Sequence, residues 1–568
     1  MANAQRPASG VPSLFGRRLS RRRLIGVTGT VLGGAGMAFT LGCQNSSKKA
    51  VNQQAATSAP SFAAASATAS AAAARSATVA AAAATAAPKR GGRITMGGVA
   101  PLHFNPNTSA GGNDWPILYN VYDTLLAADL KGNILPRLAV SWESADNAIV
   151  LTLRPNVLFH DGTSFDAAAL KANAERTLSL KDTSRVFSQW SVVDKVEAID
   201  PLHAKLSFSS PQFGPFLGNL TANAGLMPSP TAVQKLGQDF ELHPVGTGPF
   251  VLSKAVSDSS FTLDRFDKYW GSGLPYVDGI DYKVVSDIGA LVSAAMAGEI
   301  DVLEGTPTAQ QIDQLATAGL NVLNGPLHSY AEFRLNVGVA PFNNPNLLKA
   351  VCSAIDRDVL LKGIFKGNGE AAVAQLNEQT WAFNPAFKQY SLDLSKARQY
   401  LQQGGAPQGF SFTDKVIALS PIQEPIALAV KDQLAQVGIT MNIENQPTPS
   451  TDFLYKGDYQ ASNVYTPYYT PDPDSIFRPS DYSTGQFNYH NFKHPEVDRL
   501  IDQAAAEPDQ AKRIPMYWQL QQMIFDLGVP RIPVVFFPTQ TAIAKRVRGI
   551  ELDWQGQANA MRPAWLAS

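Results

Sequence analysis

Seven histidines and two cysteines are the residues in this 568-residue chain best suited to catalysis or metal binding, and their neighbours argue against both roles. His103, His160, His203, His243, His328, His490 and His494 lie in neither a Gly-x-Ser-x-Gly elbow nor a His-Glu-x-x-His helix. His490 and His494 have helical ligand spacing, but Pro495 disfavours helical backbone at the residue before it. Cys352 falls among Leu348, Val351 and Ile355 at helical spacing, so it reads as core. Gly246-Thr247-Gly248-Pro249 lacks the Lys-Ser/Thr of a phosphate loop, so any ATP that drives the function is hydrolysed by a partner. The chain is therefore expected to be no enzyme, with no catalytic residue, no metal and no cofactor.

Binding chemistry concentrates instead in "VYTPYYTPDPDS", Val464 to Ser475. Three tyrosines and two carboxylates on a Pro-punctuated loop are costly to bury together, and aromatic faces with polar tips suit stacking on a solute. Tyr465, Tyr468, Tyr469, Thr470 and Asp472 are the leading ligand-binding candidates. Trp381 in "QTWAFNP" and Asn105 and Asn107 on the loop after the first strand are secondary ones. Arg478 either meets a carboxylate on the solute or pairs with Asp474 at helical spacing.

The elements that must hold these residues alternate between strand and helix. Arg93-Ile-Thr-Met-Gly reads as a first strand. Asp114 is placed to cap a helix with Pro116 in its first turn and Ile117, Leu118, Val121, Tyr122, Leu125 and Leu126 on one face. "AIVLTLR" alternates as a strand, Asp161-Gly162 marks a turn, and Asp166 is placed to cap the next helix. Similar patterns recur to the C-terminus without an internal repeat, so the class is mixed α/β.

Lys plus Arg equals 47 and Asp plus Glu equals 47, so no global field draws the chain to nucleic acid. Its length calls for more than one lobe and a core that needs no disulfide. The stretch from Leu24 to Leu41 is uncharged but rich in Gly and Thr, a poor permanent membrane span. Before it, Ser20-Arg21-Arg22-Arg23-Leu24-Ile25 resembles a twin-arginine export signal, and Thr40-Leu41-Gly42-Cys43 resembles a lipoprotein box with Thr40 where Leu is usual. Arg21 and Arg22 are thus the export candidates and Cys43 the lipidation candidate. Residues 44–90 collapse to Ala, Ser and Thr and read as a flexible linker.

Ordered motifs across Gly91 to Ile550 resemble the extracytoplasmic solute-binding proteins of the peptide, nickel and oligosaccharide class (family 5) that serve ABC importers. The first runs through Pro136, Leu138, Ala139, Ser141, Trp142, Leu153, Arg154, Phe159, His160, Asp161 and Gly162. Later ones are "VGTGPFVL", "DKYWGSGLPYVDGI", "AGEIDV", "AIDRDVLLKGIFKG", "PDPDS", "HPEVDRLIDQA" and "RIPVVFF". The resemblance implies a periplasmic-binding-protein-like fold of the cluster C type, with mixed sheets joined by a hinge. Its lobes would be a discontinuous lobe I (91–134, 237–326 and 529–568), an inserted subdomain II (135–236) and lobe III (327–528).

It also implies a monomer outside the cell membrane, lipid-anchored to its outer face, that closes on a small-molecule solute and delivers it to an ABC permease and its ATPase subunits. His160-Asp161-Gly162 is then a structural turn and Tyr269-Trp270-Gly271 loop packing. In peptide-binding members an Asp before the Asp-Pro-Asp segment pairs with the ligand's amino terminus. Tyr469 occupies that position here, which shifts the expected solute from an oligopeptide toward an oligosaccharide or another uncharged, ring-bearing molecule. A surface enzyme acting on cell-wall peptides or sugars and a sensory receptor are the alternatives.

Overall fold

A computed structural model describes residues 87–567 other than 110, 418–421, 447–451 and 469. Arg21, Arg22, Cys43, nearly all of the linker and Tyr469 lie outside the described residues. Among the described residues, no helix is long and apolar enough to cross a membrane.

Two mixed sheets dominate. In the seven-stranded sheet the strands run Asn321–Asn324, Gln540–Ile543, Val302–Leu303, Arg93–Gly98, Gly279–Val284, Ser260–Arg265, Phe250–Val256. The central strand Arg93–Gly98 pairs in parallel on both sides. Ile94 and Met96 are fully buried, while Arg93 ties the strand's start to Asp264 and Asp281. Its other end is stripped of side chains. A methyl at Gly97 would overlap Ile300, and one at Gly98 would crowd the Tyr282 hydroxyl and the Glu304 backbone, so only glycine lets the 302–304 segment lie this close.

The six-stranded sheet runs Glu370–Ala371, Arg531–Phe537, Ser329–Leu335, Ala461–Pro467, Ser411–Ile417, Thr440–Gln446. Ser329–Leu335 is buried at every position and flanked by antiparallel neighbours. The expected last segment of lobe I, from 529, opens with strand Arg531–Phe537. Arg531–Phe537 pairs with Ser329–Leu335, and Arg531 reaches Glu332 on that strand at 3.0 Å. A strand apolar on both faces fits the centre of either sheet, so "IPVVFF" alone does not reveal which one it joins.

The chain passes between these sheets at Gly325–His328 and at Pro538–Thr539, and Gly325 N–H donates to the Thr539 carbonyl across the crossing at 2.9 Å. Gly325 packs so closely on Gly556 that a methyl on either would overlap the other. His328 packs on Trp554 with ring centroids 3.6 Å apart and donates from Nδ1 to its carbonyl at 2.7 Å. Burial lowers the His328 pKa to about 4, so the joint carries a neutral imidazole.

A four-stranded antiparallel sheet, Ala139–Ala145, Ala148–Leu153, His203–Phe208, Val193–Asp200, is backed by helix Ala167–Ser179. Asp166 caps that helix as expected, accepting from Ala169 N–H at 2.9 Å. His160 and Asp161 hold a turn. The imidazole Nε2 donates to the Gly248 carbonyl at 2.9 Å, Asp161 accepts from Ser229 Oγ at 2.6 Å, and Gly162 has φ +84°. Tyr269 and Trp270 both donate to the buried Asp123.

Asp114 departs from expectation. It stands before helix Trp115–Val121, but its carboxylate accepts from Leu102 N–H, His103 N–H and Ser109 Oγ and pins the preceding loop. That helix ends at Val121, so Leu125 and Leu126 leave its face, and Leu126 opens a short strand. His494 is the residue before helix Pro495–Ala506, outside the turn that would align it with the fully buried His490.

Candidate functional site

A cavity of about 670 Å³ opens between the seven- and six-stranded sheets, with Pro538 and Thr539 of one crossing segment in its lining. That volume lies in the range of sites for small organic ligands. One wall comes from Val99, residues 111–113, Trp115, Pro116 and the 304–309 loop, at the C-terminal ends of the parallel strands. In open α/β sheets this is where ligands bind. The opposite wall includes Arg334, Phe365, Gln423, Tyr465 and Phe537, and Gln555 and Gln557 come from the C-terminal loop.

Arg334 and Glu304 are the only Lys, Arg, Asp or Glu residues in the lining among the described residues. Arg334 is already committed. Its Nε donates to Glu332 at 2.9 Å, and the other guanidinium nitrogens reach the Phe487 carbonyl and Thr466 Oγ1. The second Glu332 oxygen takes Arg531, which also binds Asp481 at 2.9 Å and the Tyr330 hydroxyl. Two guanidiniums and two carboxylates make this buried cluster neutral. Burial pushes Glu332 up, but Arg531 and Arg334 outweigh it and hold its carboxyl below the ordinary range.

Glu304 has no such partner. Its Oε1 is buried without a hydrogen bond. Burial, and after it the nearby Asp553, raise its pKa to about 8. Two other lining atoms are buried and unpartnered, Trp115 Nε1 and Gln423 Oε1. An unsatisfied buried polar group costs about 1–3 kcal/mol, so three at one cavity mark places where an occupant makes the missing bonds.

Of the residues singled out in the sequence, Tyr465 lines the cavity, its hydroxyl paired with Ser329 Oγ at 2.9 Å. Tyr468 is buried in the core, where its hydroxyl donates to the Gln375 carbonyl. Asp472 binds Arg513 through both oxygens at 2.6 and 2.8 Å and also receives the Tyr517 hydroxyl. Trp381 packs edge-on against Tyr517 and donates to the Pro471 carbonyl. Thr470 and Asp472 face helix Phe213–Asn219, where methyls at Gly214 and Gly218 would crowd them. This loop thus forms a joint between the six-stranded part and the part carrying the four-stranded sheet.

Asn105 and Asn107 are buried away from the cavity, Asn105 accepting from Asn107 N–H and Asn107 accepting from Ser184 Oγ. Arg478 pairs with Asp474 at 2.9 Å and with Asp502, which resolves its two readings in favour of an ion pair.

Glu304, Trp115 and Gln423 were not singled out. A signal for Glu304 was available, since an acid directly after the apolar pair Val302-Leu303 and before Gly-Thr-Pro sits where a parallel strand delivers its C-terminal end. Trp115 and Gln423 carry no comparable local mark.

Two sheets joined by two short crossings around a shared cavity define a two-walled solute receptor. Residues 133–488 match the family described as bacterial extracellular solute-binding proteins, family 5 Middle, and the chain belongs to that family. The glutathione-binding protein GsiB of Shigella dysenteriae is 28% identical over 440 residues, covering 75% of this chain and 85% of that protein. The fold is shared with the periplasmic binding protein DppA of Helicobacter pylori, solved with the peptide STSA (TM-score 0.71, 23% identity, 84% of this chain and 98% of that one). It is shared too with the oligopeptide-binding protein AppA of Bacillus subtilis, solved with a nonapeptide (TM-score 0.71, 21% identity, 85% and 100%).

Proposed function

We propose that this protein captures a short peptide or peptide-derived solute between its two large sheets and delivers it to the permease of an ABC importer. The cavity of about 670 Å³, with unpartnered polar atoms on both walls, is the observation that carries the reading. Its relatives support the solute class, because GsiB, DppA and AppA are each described with a peptide or glutathione. The three-lobe division, export through Arg21 and Arg22, a lipid on Cys43, a tether over 44–90 and a monomeric state belong to the same proposal. A receptor fixed by a multiply acylated cysteine stays beside its permease while its lobes remain free to close.

Tyr465 is the solute contact retained from the sequence. Tyr468, Thr470, Asp472, Trp381, Asn105 and Asn107 serve as supports for the walls and the joint. The test is thermal unfolding of the mature chain with dipeptides, tripeptides, glutathione and maltotriose. A solute present at a hundred times its Kd stabilises the folded state by about 2.7 kcal/mol. Stabilisation by peptides but not the sugar is the expected result. Stabilisation by maltotriose alone would restore the oligosaccharide reading.

A further inference from the structure

Among the described residues, every charged side chain lining the cavity except Glu304 has its counter-charge within the protein. Arg334 belongs to the neutral cluster with Glu332, Arg531 and Asp481. Glu304 follows strand Val302–Leu303, and its own backbone N–H is held by the Gly97 carbonyl at 2.8 Å. The hydroxyl beside it, on Tyr282, spends its proton on the Val99 carbonyl at 2.8 Å. Asp553, the other acid acting on Glu304, is held by Gln555 N–H, Gln557 N–H and Asn559 Nδ2, and Arg137 faces Asp553. This corner of the cavity is therefore acidic and short of a hydrogen-bond donor. On the opposite wall Gln423 is locked, its Nε2 donating to the Asn463 carbonyl and its own carbonyl accepting from Asn463 Nδ2, which leaves Oε1 free.

We infer that Glu304 anchors a positively charged group of the solute, an ammonium or a guanidinium, while Gln423 Oε1 accepts a second hydrogen bond from the solute and Trp115 Nε1 donates one. This deepens the proposed peptide-class reading, on which the choice of an α-ammonium rests. A cation here supplies the counter-charge that the buried acid lacks, so the acid can ionise in place. A neutral solute leaves the penalty of burying that charge in place. Binding also drives the Glu304 proton off, because a carboxyl beside a cation ionises more readily.

The experiment is isothermal titration of the mature chain with a mixed dipeptide library, the same library N-acetylated, putrescine and maltotriose, using wild type, Glu304→Gln and Glu304→Asp. Loss of a charge-assisted hydrogen bond predicts about 30-fold weaker binding of the acetylated library to wild type, and no such preference in Glu304→Gln. Glu304→Asp restores part of the preference, which a merely structural role would not do. At pH 7, titrations in buffers of different ionisation enthalpy report protons released on binding, and Glu304→Gln abolishes the release.

Equal binding of free and acetylated dipeptides overturns the inference and leaves the peptide reading standing. Glu304-dependent binding of putrescine without dipeptide binding overturns the peptide reading and leaves the cation anchor standing. Binding of maltotriose alone overturns both.

Discussion

Replacing Asp472 separates the reading from sequence, in which it contacts the solute, from the geometry. Its carboxylate takes two guanidinium bonds from Arg513 at 2.6 and 2.8 Å, the Tyr517 hydroxyl at 3.2 Å and the Asp474 N–H at 3.0 Å. Both charged side chains are nearly fully buried. Burial lowers the Arg513 pKa, but Asp472 more than reverses this and holds it above its ordinary value. Asp472→Ala strands a buried guanidinium, and breaking a buried pair from one side costs about 3–5 kcal/mol. The double replacement Asp472→Ala with Arg513→Met removes the orphaned charge and recovers most of that loss. Urea unfolding measures these changes, and titration with the bound solute measures affinity, expected to stay within about twofold of wild type once the chain is folded. Affinity reduced tenfold with unfolding free energy unchanged would refute the reasoning and make Asp472 a solute contact.

Gly214→Ala places a methyl on the Arg513 guanidinium, so it should destabilise the chain by about 1–3 kcal/mol in urea unfolding, whereas the same change at exposed Gly298, where φ is +79° but nothing lies within 4 Å, tests backbone strain alone. Glu304, raised to about 8 against an ordinary 4.5, keeps in the folded chain a proton that the unfolded chain has released. Stability of the unliganded protein therefore falls as pH rises from about 4.5 to 8, and Glu304→Gln flattens that slope, whereas parallel pH curves would contradict the assignment. Cys352 is fully buried, and burial pushes its thiol up to about 11, so a thiol reagent at pH 8 should react only at the rate of unfolding.

Elements with a strong local signal were legible in the sequence. Asp166 caps its helix, as an acid before an apolar periodic run is placed to do, and Cys352 is core because its helical neighbours are apolar. Non-local facts were not legible. "RIPVVFF" is apolar throughout and carries no mark of the sheet it joins, and what assigns it is the pairing of Arg531 with Glu332. Tyr468 and Asp472 looked like binding residues because polar groups on a Pro-rich loop rarely have partners nearby in sequence. Their partners, Gln375, Arg513 and Tyr517, come from distant segments. Asp114 had two competing uses, capping a helix and closing a loop, and the loop's three donors outnumber the single cap bond.

Capture of a solute between the two sheets is tested most directly by a crystal structure of the protein purified from its own host or grown with the tightest-binding dipeptide. The prediction is solute density in the cleft, with a cationic nitrogen within hydrogen-bond distance of Glu304 and polar contacts to Trp115 Nε1 and Gln423 Oε1. Solute density at the Thr470–Asp472 joint or elsewhere, with only water between the sheets, would contradict it.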